Sequence, residues 1–147
     1  MKKTLGVILA LLFAGLLTLI IGSPIKNDIE AQKVANAIKE CALPERTQLL
    51  DTVSAAGKLV GNGNGMQYFG AILIKSELSL DELKEYYEKL ASDEFYNIVE
   101  KQESNTIDFI EHERLSFDAE CDYEDTYIVY SWGNYSGMAS EFDLRGH

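Results

Sequence analysis

Five acids crowd one stretch of the sequence: Asp118, Glu120, Asp122, Glu124 and Asp125. Carboxylates in such numbers could chelate calcium. A calcium loop, however, has Gly at its sixth position and Glu at its twelfth, and counting from Asp118 those places hold Tyr123 and Val129. Alternate acids along a strand stand on one face and do not converge on an ion. The cluster therefore reads as a solvated face with at most diffuse divalent binding. The two histidines, His112 (between Glu111 and Glu113) and His147, match no zinc spacing. No metal ligands, cofactor or catalytic residues are expected. General acid/base chemistry needs only two carboxylates brought together by folding, and with 24 acids the sequence does not locate such a pair.

Two cysteines, Cys41 and Cys121, could form one disulfide, closing a loop of about 80 residues that the chain-entropy model values at roughly 4 kcal/mol. The alternative is two buried free thiols. Cys121 falls on the apolar side of its strand, where a thiol is inert as a nucleophile. Tyr130, Trp132 and Tyr135, with the loop from Gly133 to Gly137, are the candidate contact surface, since Tyr and Trp pair a flat apolar body with a polar handle. Core packing is the competing reading for the same rings. Gly61-Asn62-Gly63-Asn64-Gly65 could cradle a phosphate if a helix followed. A strand follows instead, and Asn-Gly pairs are strong hairpin-turn signals, so a turn is expected.

What positions these residues begins with a greasy segment. Leu5 to Ile21 is an apolar run of 17 residues without charge or proline. As a helix it spans roughly 26 Å, near the hydrocarbon thickness of a bilayer. A cleaved signal would have a shorter apolar stretch and a small-x-small site, and Ile20-Ile21-Gly22-Ser23-Pro24 offers neither. The reading is an uncleaved signal-anchor, with Leu5, Leu12, Phe13, Leu17 and Ile21 among its lipid-facing residues. Lys2 and Lys3 precede it, which by the positive-inside rule puts the amino end in the cytoplasm and the rest outside. Residues 23–147 then hold 24 acids and 11 bases, so nucleic acid is excluded as the main partner.

Ser23-Pro24 is expected to end the anchor helix. The organisation predicted is 1–22 transmembrane anchor, 23–44 amphipathic helix and 45–147 α+β extracytoplasmic domain. The second helix opens near Asn27, with Asn27 and Glu30 as a capping pair, and packs through Ala31, Val34, Ala35, Ile38 and Ala42. Residues 45 to 56 are ambiguous, and Gly57 to Val60 reads as a short strand. Gln67 to Lys75 is apolar on both faces, the mark of a central strand. Ser79-Leu80-Asp81-Glu82 is a capping box opening a helix to about Ala91, with Leu78 and Leu83 as its staple. Phe95 to Lys101, Ile107 to Ile110, Leu115 to Tyr123 and Tyr127 to Trp132 read as strands, the third a clean half-buried alternation. Met138 to Leu144 closes the domain.

This order predicts an α+β fold: an N-terminal transmembrane helix, then a small mostly antiparallel sheet with helices packed on one face. From Gly70 onward, a strand feeding a capped helix with the Tyr-rich turn Glu85-Tyr86-Tyr87-Glu88-Lys89-Leu90, then antiparallel strands, resembles modules of small membrane-anchored or exported bacterial α+β proteins. The resemblance covers about half the chain and assigns no functional residue. The expected role is a non-enzymatic, membrane-anchored binding or assembly module at the cell envelope. Its partners would be membrane lipid through the N-terminal helix and an envelope protein or wall polymer. The alternative is an envelope hydrolase using a carboxylate pair.

Overall fold

The computed structural model describes residues 2–61, 65–90, 96–111, 114–134 and 138–147. Helix α1 runs unbroken from Lys2 to Lys39, 38 residues, with Pro24 inside it. The expected break at Ser23-Pro24 is thus corrected. Proline costs one intrahelical hydrogen bond and crowds the preceding turn. Contacts from the rest of the chain hold the helix on the far side. Asn27, read from sequence as a cap, is fully buried. Its Nδ2 donates to Asp143 Oδ2 at 2.8 Å and to the Ala139 carbonyl at 3.2 Å, and its Oδ1 accepts from the Tyr68 hydroxyl at 2.8 Å. Arg145 donates to the Pro24 carbonyl at 3.1 Å and to Asp28 at 2.8 Å, while gripping Asp143 at 2.7 Å.

The remaining elements are β1 (Thr47–Gly57), β2 (Gln67–Ser76), α2 (Leu80–Lys89), β3 (Ile98–Lys101), β4 (Thr106–Ile107), β5 (Leu115–Ser116), β6 (Thr126–Asn134), α3 (Met138–Glu141) and a 3₁₀ turn at Leu144–Gly146. The main sheet has the order β1-β2-β6-β3, and β4 pairs with β5. All pairings are antiparallel. The chain is therefore an α+β protein, with a long apolar N-terminal helix and a small antiparallel sheet.

Strand β2 is buried along nearly its whole length, as its two-sided apolarity predicts. Ile72 and Ile74 join Ile38 of α1, Leu83 and Tyr87 of α2, and Val129 in one cluster. Phe69, Ala71 and Leu73 join Ile128, Tyr130, Ile107, Ile110 and Phe117 in another. Ala31 and Val34 meet Ala56, Met66 and Tyr68 in a third. The capping box of α2 forms as read: Glu82 N donates to Ser79 Oγ, and Ser79 N donates to the Glu82 carboxylate at 2.8 Å.

Three strand readings change. Of Ile107 to Ile110, only Ile107 belongs to a strand, β4, which pairs with β5. The ambiguous segment is the long strand β1, and residues 58–60 lie beyond it, with Leu59 bridging to Ile110. Ser54-Ala55-Ala56-Gly57 carries little intrinsic β preference; pairing with β2 makes it a strand. The segment from Leu115 to Tyr123 keeps its alternation, with Phe117 buried and Asp118, Glu120 and Asp122 exposed, but only Leu115–Ser116 pairs as a strand. Beyond it the backbone N–H groups of Asp118 and Ala119 donate to Asp51 Oδ2 at 2.7 and 3.0 Å, replacing a ladder with one carboxylate.

Helix α1 crosses β2 at Gly70. A Cβ there would sit 2.2 Å from the Ala35 nitrogen and 2.7 Å from the Val34 carbonyl carbon, both backbone atoms. The flanking strands present Ser54 and Ser131 at this level. The helix can lie this close only because the crossing is built from small residues. Gly70→Ala must push helix and sheet apart and is expected to cost about 3 kcal/mol or more, the upper range for overpacking. Gly133→Ala, with nothing within 4 Å of its Cβ position, should cost less than about 1 kcal/mol. Thermal unfolding of the two variants checks this, and equal losses would contradict the close crossing.

Burial pushes the Asp143 carboxyl up, but hydrogen bonds from Arg145 and Asn27 outweigh it and hold the group below the usual carboxylate range. A lowered folded pKa gives stability that is present above the unfolded value of about 3.9 and is lost as pH falls through the folded one. Acid unfolding monitored below pH about 4 should therefore be shallower in Asp143→Asn than in the native chain. An unchanged pH dependence would contradict this role for Asp143.

Candidate functional site

Asn27 meets Tyr68, Ala35 lies over Gly70, and Ile38 packs with Ile72 and Ile74. Helix α1 and β2 therefore run in the same direction. The end of the sheet formed by Gly57, Gln67 and Asn134 is the end nearer the apolar run of α1. At this end a cleft of about 310 Å³ is lined by Leu59, Val60, Gly61, Phe69, Phe109, Tyr130 and Trp132.

Its walls have simple origins. Trp132, Tyr130 and Phe69 project from one face of the sheet, because side chains two apart on β6 share a face and Phe69 pairs with Trp132 across the ladder. The opposite wall is a short zipper beyond β1: Val60 N donates to the Phe109 carbonyl at 2.9 Å and Glu111 N to the Lys58 carbonyl at 2.8 Å. The Lys58–Glu111 ion pair at 2.9 Å, with both side chains mostly shielded, closes the outside of this zipper. The rings form a continuous platform. Tyr130 and Trp132 stack at 5.9 Å and 18°, Phe109 and Tyr130 lie at 4.8 Å, and Phe69 and Tyr130 at 5.7 Å. Trp132 is 39% exposed, Tyr130 only 6%.

Among the described residues no charged side chain lines the cleft. Burial first, and then the neighbouring Glu100, push the Tyr130 hydroxyl above its ordinary range. The phenol stays protonated, so the platform offers flat apolar surface with few polar handles, the Tyr130 hydroxyl and the Trp132 indole N–H. Such a surface accepts aliphatic or aromatic groups.

Of the contact surface expected from sequence, Tyr130 and Trp132 line this cleft, and Tyr135 lies outside the described residues. Tyr127 points the other way, into the cluster with Val129 and Tyr87. Leu59, Val60, Phe69 and Phe109 were not expected as lining. Their only signal was the apolar Leu59-Val60 pair before the glycine run. The Asn62 to Asn64 part of that run lies outside the described residues, as do His112 and Glu113. The anchor residues Leu5, Leu12, Phe13, Leu17 and Ile21 are all exposed, in a helix long and apolar enough to cross a membrane.

Among the described residues, several acids are engaged in structure. Asp51 holds the backbone of Asp118 and Ala119. Hydrogen bonds from Lys75 to Asp122, from the Ser79 backbone to Glu82 and from Lys89 to Glu85 hold those three carboxyls below their usual range. A general acid needs the opposite shift. Among the described residues no group of three or more His, Cys, Asp or Glu is arranged to hold a metal ion. A second cavity, about 400 Å³, lies at the far end of the sheet between Arg46, Lys75, Glu77 and Asp125. Three of its four charged side chains are in ion pairs, Lys75 with Asp122 and Arg46 with Glu77.

Both cysteines are free thiols. The sheet separates them. Cys41, whose thiol donates to the Ala37 carbonyl, neighbours Tyr87 in the cluster beneath α1 and α2. Cys121 packs against the Phe69 and Phe117 cluster on the other face. Of the two readings the sequence left open, a disulfide or two free thiols, this structure holds the thiols. Alkylation of the unfolded chain without reductant should label two thiols, and mass measurement showing a chain two hydrogens lighter and unlabelled would contradict this placement. Comparison with protein-family models, with curated proteins and with solved structures finds no match for this chain.

Proposed function

We propose that this protein is a single-pass membrane-anchored binding module, its helices covering one face of the sheet and its aromatic cleft holding an apolar group of a partner near the membrane surface. The carrying observation is the uncharged cleft of Phe69, Phe109, Tyr130 and Trp132 at the end of the sheet from which the apolar part of α1 departs. Lys2 and Lys3 favour a cytoplasmic amino end and an outer sheet domain, by the positive-inside rule. The partner best suited to the lining is an apolar segment of an envelope protein. A wall polymer would bring many hydroxyls that need polar partners, and the side chains of the lining offer only the Tyr130 hydroxyl and the Trp132 indole N–H. The role is non-catalytic. The downward shifts at Asp122, Asp143, Glu82 and Glu85 speak against a carboxylate-pair hydrolase.

The test is a photoreactive phenylalanine analogue placed at Trp132 in intact cells, with the same analogue at exposed Tyr96 as the reference. A discrete adduct with an envelope protein at position 132, absent at position 96, is the expected outcome. Identical labelling at both positions, together with release of wall fragments by the purified chain, would overturn the reading in favour of the hydrolase.

A further inference from the structure

An unbroken helix makes height above the apolar run a matter of counting. Pro24 lies three residues past Ile21 and Asp28 seven, so their turn sits roughly 5–10 Å beyond the end of the run. The polar layer of a bilayer adds about 5–7 Å beyond the hydrocarbon on each side. Arg145 binds the Pro24 carbonyl and Asp28, which fixes the segment from Met138 to His147 at that level.

The side chains around this turn are apolar and unsheltered. Leu144 is 85% exposed, Ile25 57% and Phe142 37%. Ile21, Ile25 and Ile29 recur every four residues, so one exposed apolar stripe continues up α1 past the run that ends at Ile21. Arg145 offsets one of the two carboxylate charges of Asp143 and Asp28, so the turn carries a single net negative charge rather than a bare cluster of acids. Exposed Glu141 keeps the contact shallow. Apolar residues beside a spanning helix at headgroup depth behave as interfacial anchors.

We propose that Ile25, Phe142 and Leu144 form a second lipid contact, a rim resting in the headgroup layer of the bilayer that α1 spans. The rim would hold the domain against the membrane rather than let it sway on its tether. This inference rests on the anchor reading above, but it is independent of what the aromatic cleft binds. The occupant is the bilayer and not a second protein, because α1 places the rim at that depth with no partner needed.

The chain's single Trp supplies the reference. Trp132 pairs with Phe69, which lies between the levels of Ala31 and Ala35 on the helix, roughly 18 Å beyond Ile21 and clear of the polar layer. The full chain is placed in phosphatidylcholine vesicles brominated at acyl carbons near the headgroup. Tryptophan fluorescence is then compared between the native chain and the Trp132→Phe/Leu144→Trp variant. The expected result is blue-shifted emission and quenching several-fold greater for the indole at position 144 than for Trp132. Far-ultraviolet circular dichroism confirms that the variant is folded. Weak, equal quenching in protein that floats with the vesicles would overturn the rim contact and leave the anchor standing. Failure of the native chain to float would overturn both.

Discussion

At Gly70 helix α1 comes so close to β2 that no side chain fits between them, and the rest of the structure is referred to that approach. It fixes the helix along the strand. It places Asn27 over Tyr68 and Ile38 over Ile72 and Ile74. It also carries the helix through Pro24, where local preference alone would stop it. A proline lowers the stability of a helix that stands alone. Here the second half of α1 is a core element of the domain, and its buried side chains repay the lost hydrogen bond. The polar latch of Asn27, Asp143 and Arg145 works at the same point. It supplies charge-assisted hydrogen bonds to a turn that proline weakens.

One consequence is geometric. A domain joined to an apolar segment through a flexible linker samples many heights and orientations. A domain whose core contains the continuation of that segment has one. The cleft of Phe69, Phe109, Tyr130 and Trp132 and the rim of Ile25, Phe142 and Leu144 therefore acquire positions relative to the apolar run. Both lie toward its end of the sheet. The polar cavity between Arg46 and Asp125 lies at the opposite end, with both of its basic side chains in ion pairs. The proposed binding near the membrane surface rests on this arrangement of apolar features.

Signals confined to a few neighbouring residues were legible in the sequence. Ser79 to Glu82 announces a helix because the capping box is a local hydrogen-bond exchange, and α2 begins there. The apolar run of α1 and the two-sided strand β2 are legible for the same reason. What was not legible depended on distant partners. Asn27 looks like a cap until Tyr68 and Asp143, far along the chain, are seen around it. Ser54-Ala55-Ala56-Gly57 looks unlike a strand, yet Ser54 and Ala56 are the small residues on the face that α1 covers, while Ala55 packs into the cluster on the other face. The alternation from Leu115 to Tyr123 records burial correctly but cannot record that Asp51, not a neighbouring strand, takes the backbone hydrogen bonds. Of the cleft, Tyr130 and Trp132 were legible as aromatics on one face, while Leu59 and Phe109 reach it only through the zipper that joins residues 58–60 to 109–111.

The central claim is that the apolar run and the domain core share one rigid helix. Amide hydrogen exchange on the full chain in lipid nanodiscs, resolved over residues 25 to 31, reads this directly. Continuity predicts that these amides exchange as slowly as those of β2. Fast exchange there, beside a protected β2 and a protected apolar run, would mean that a mobile joint separates the two and would contradict the account.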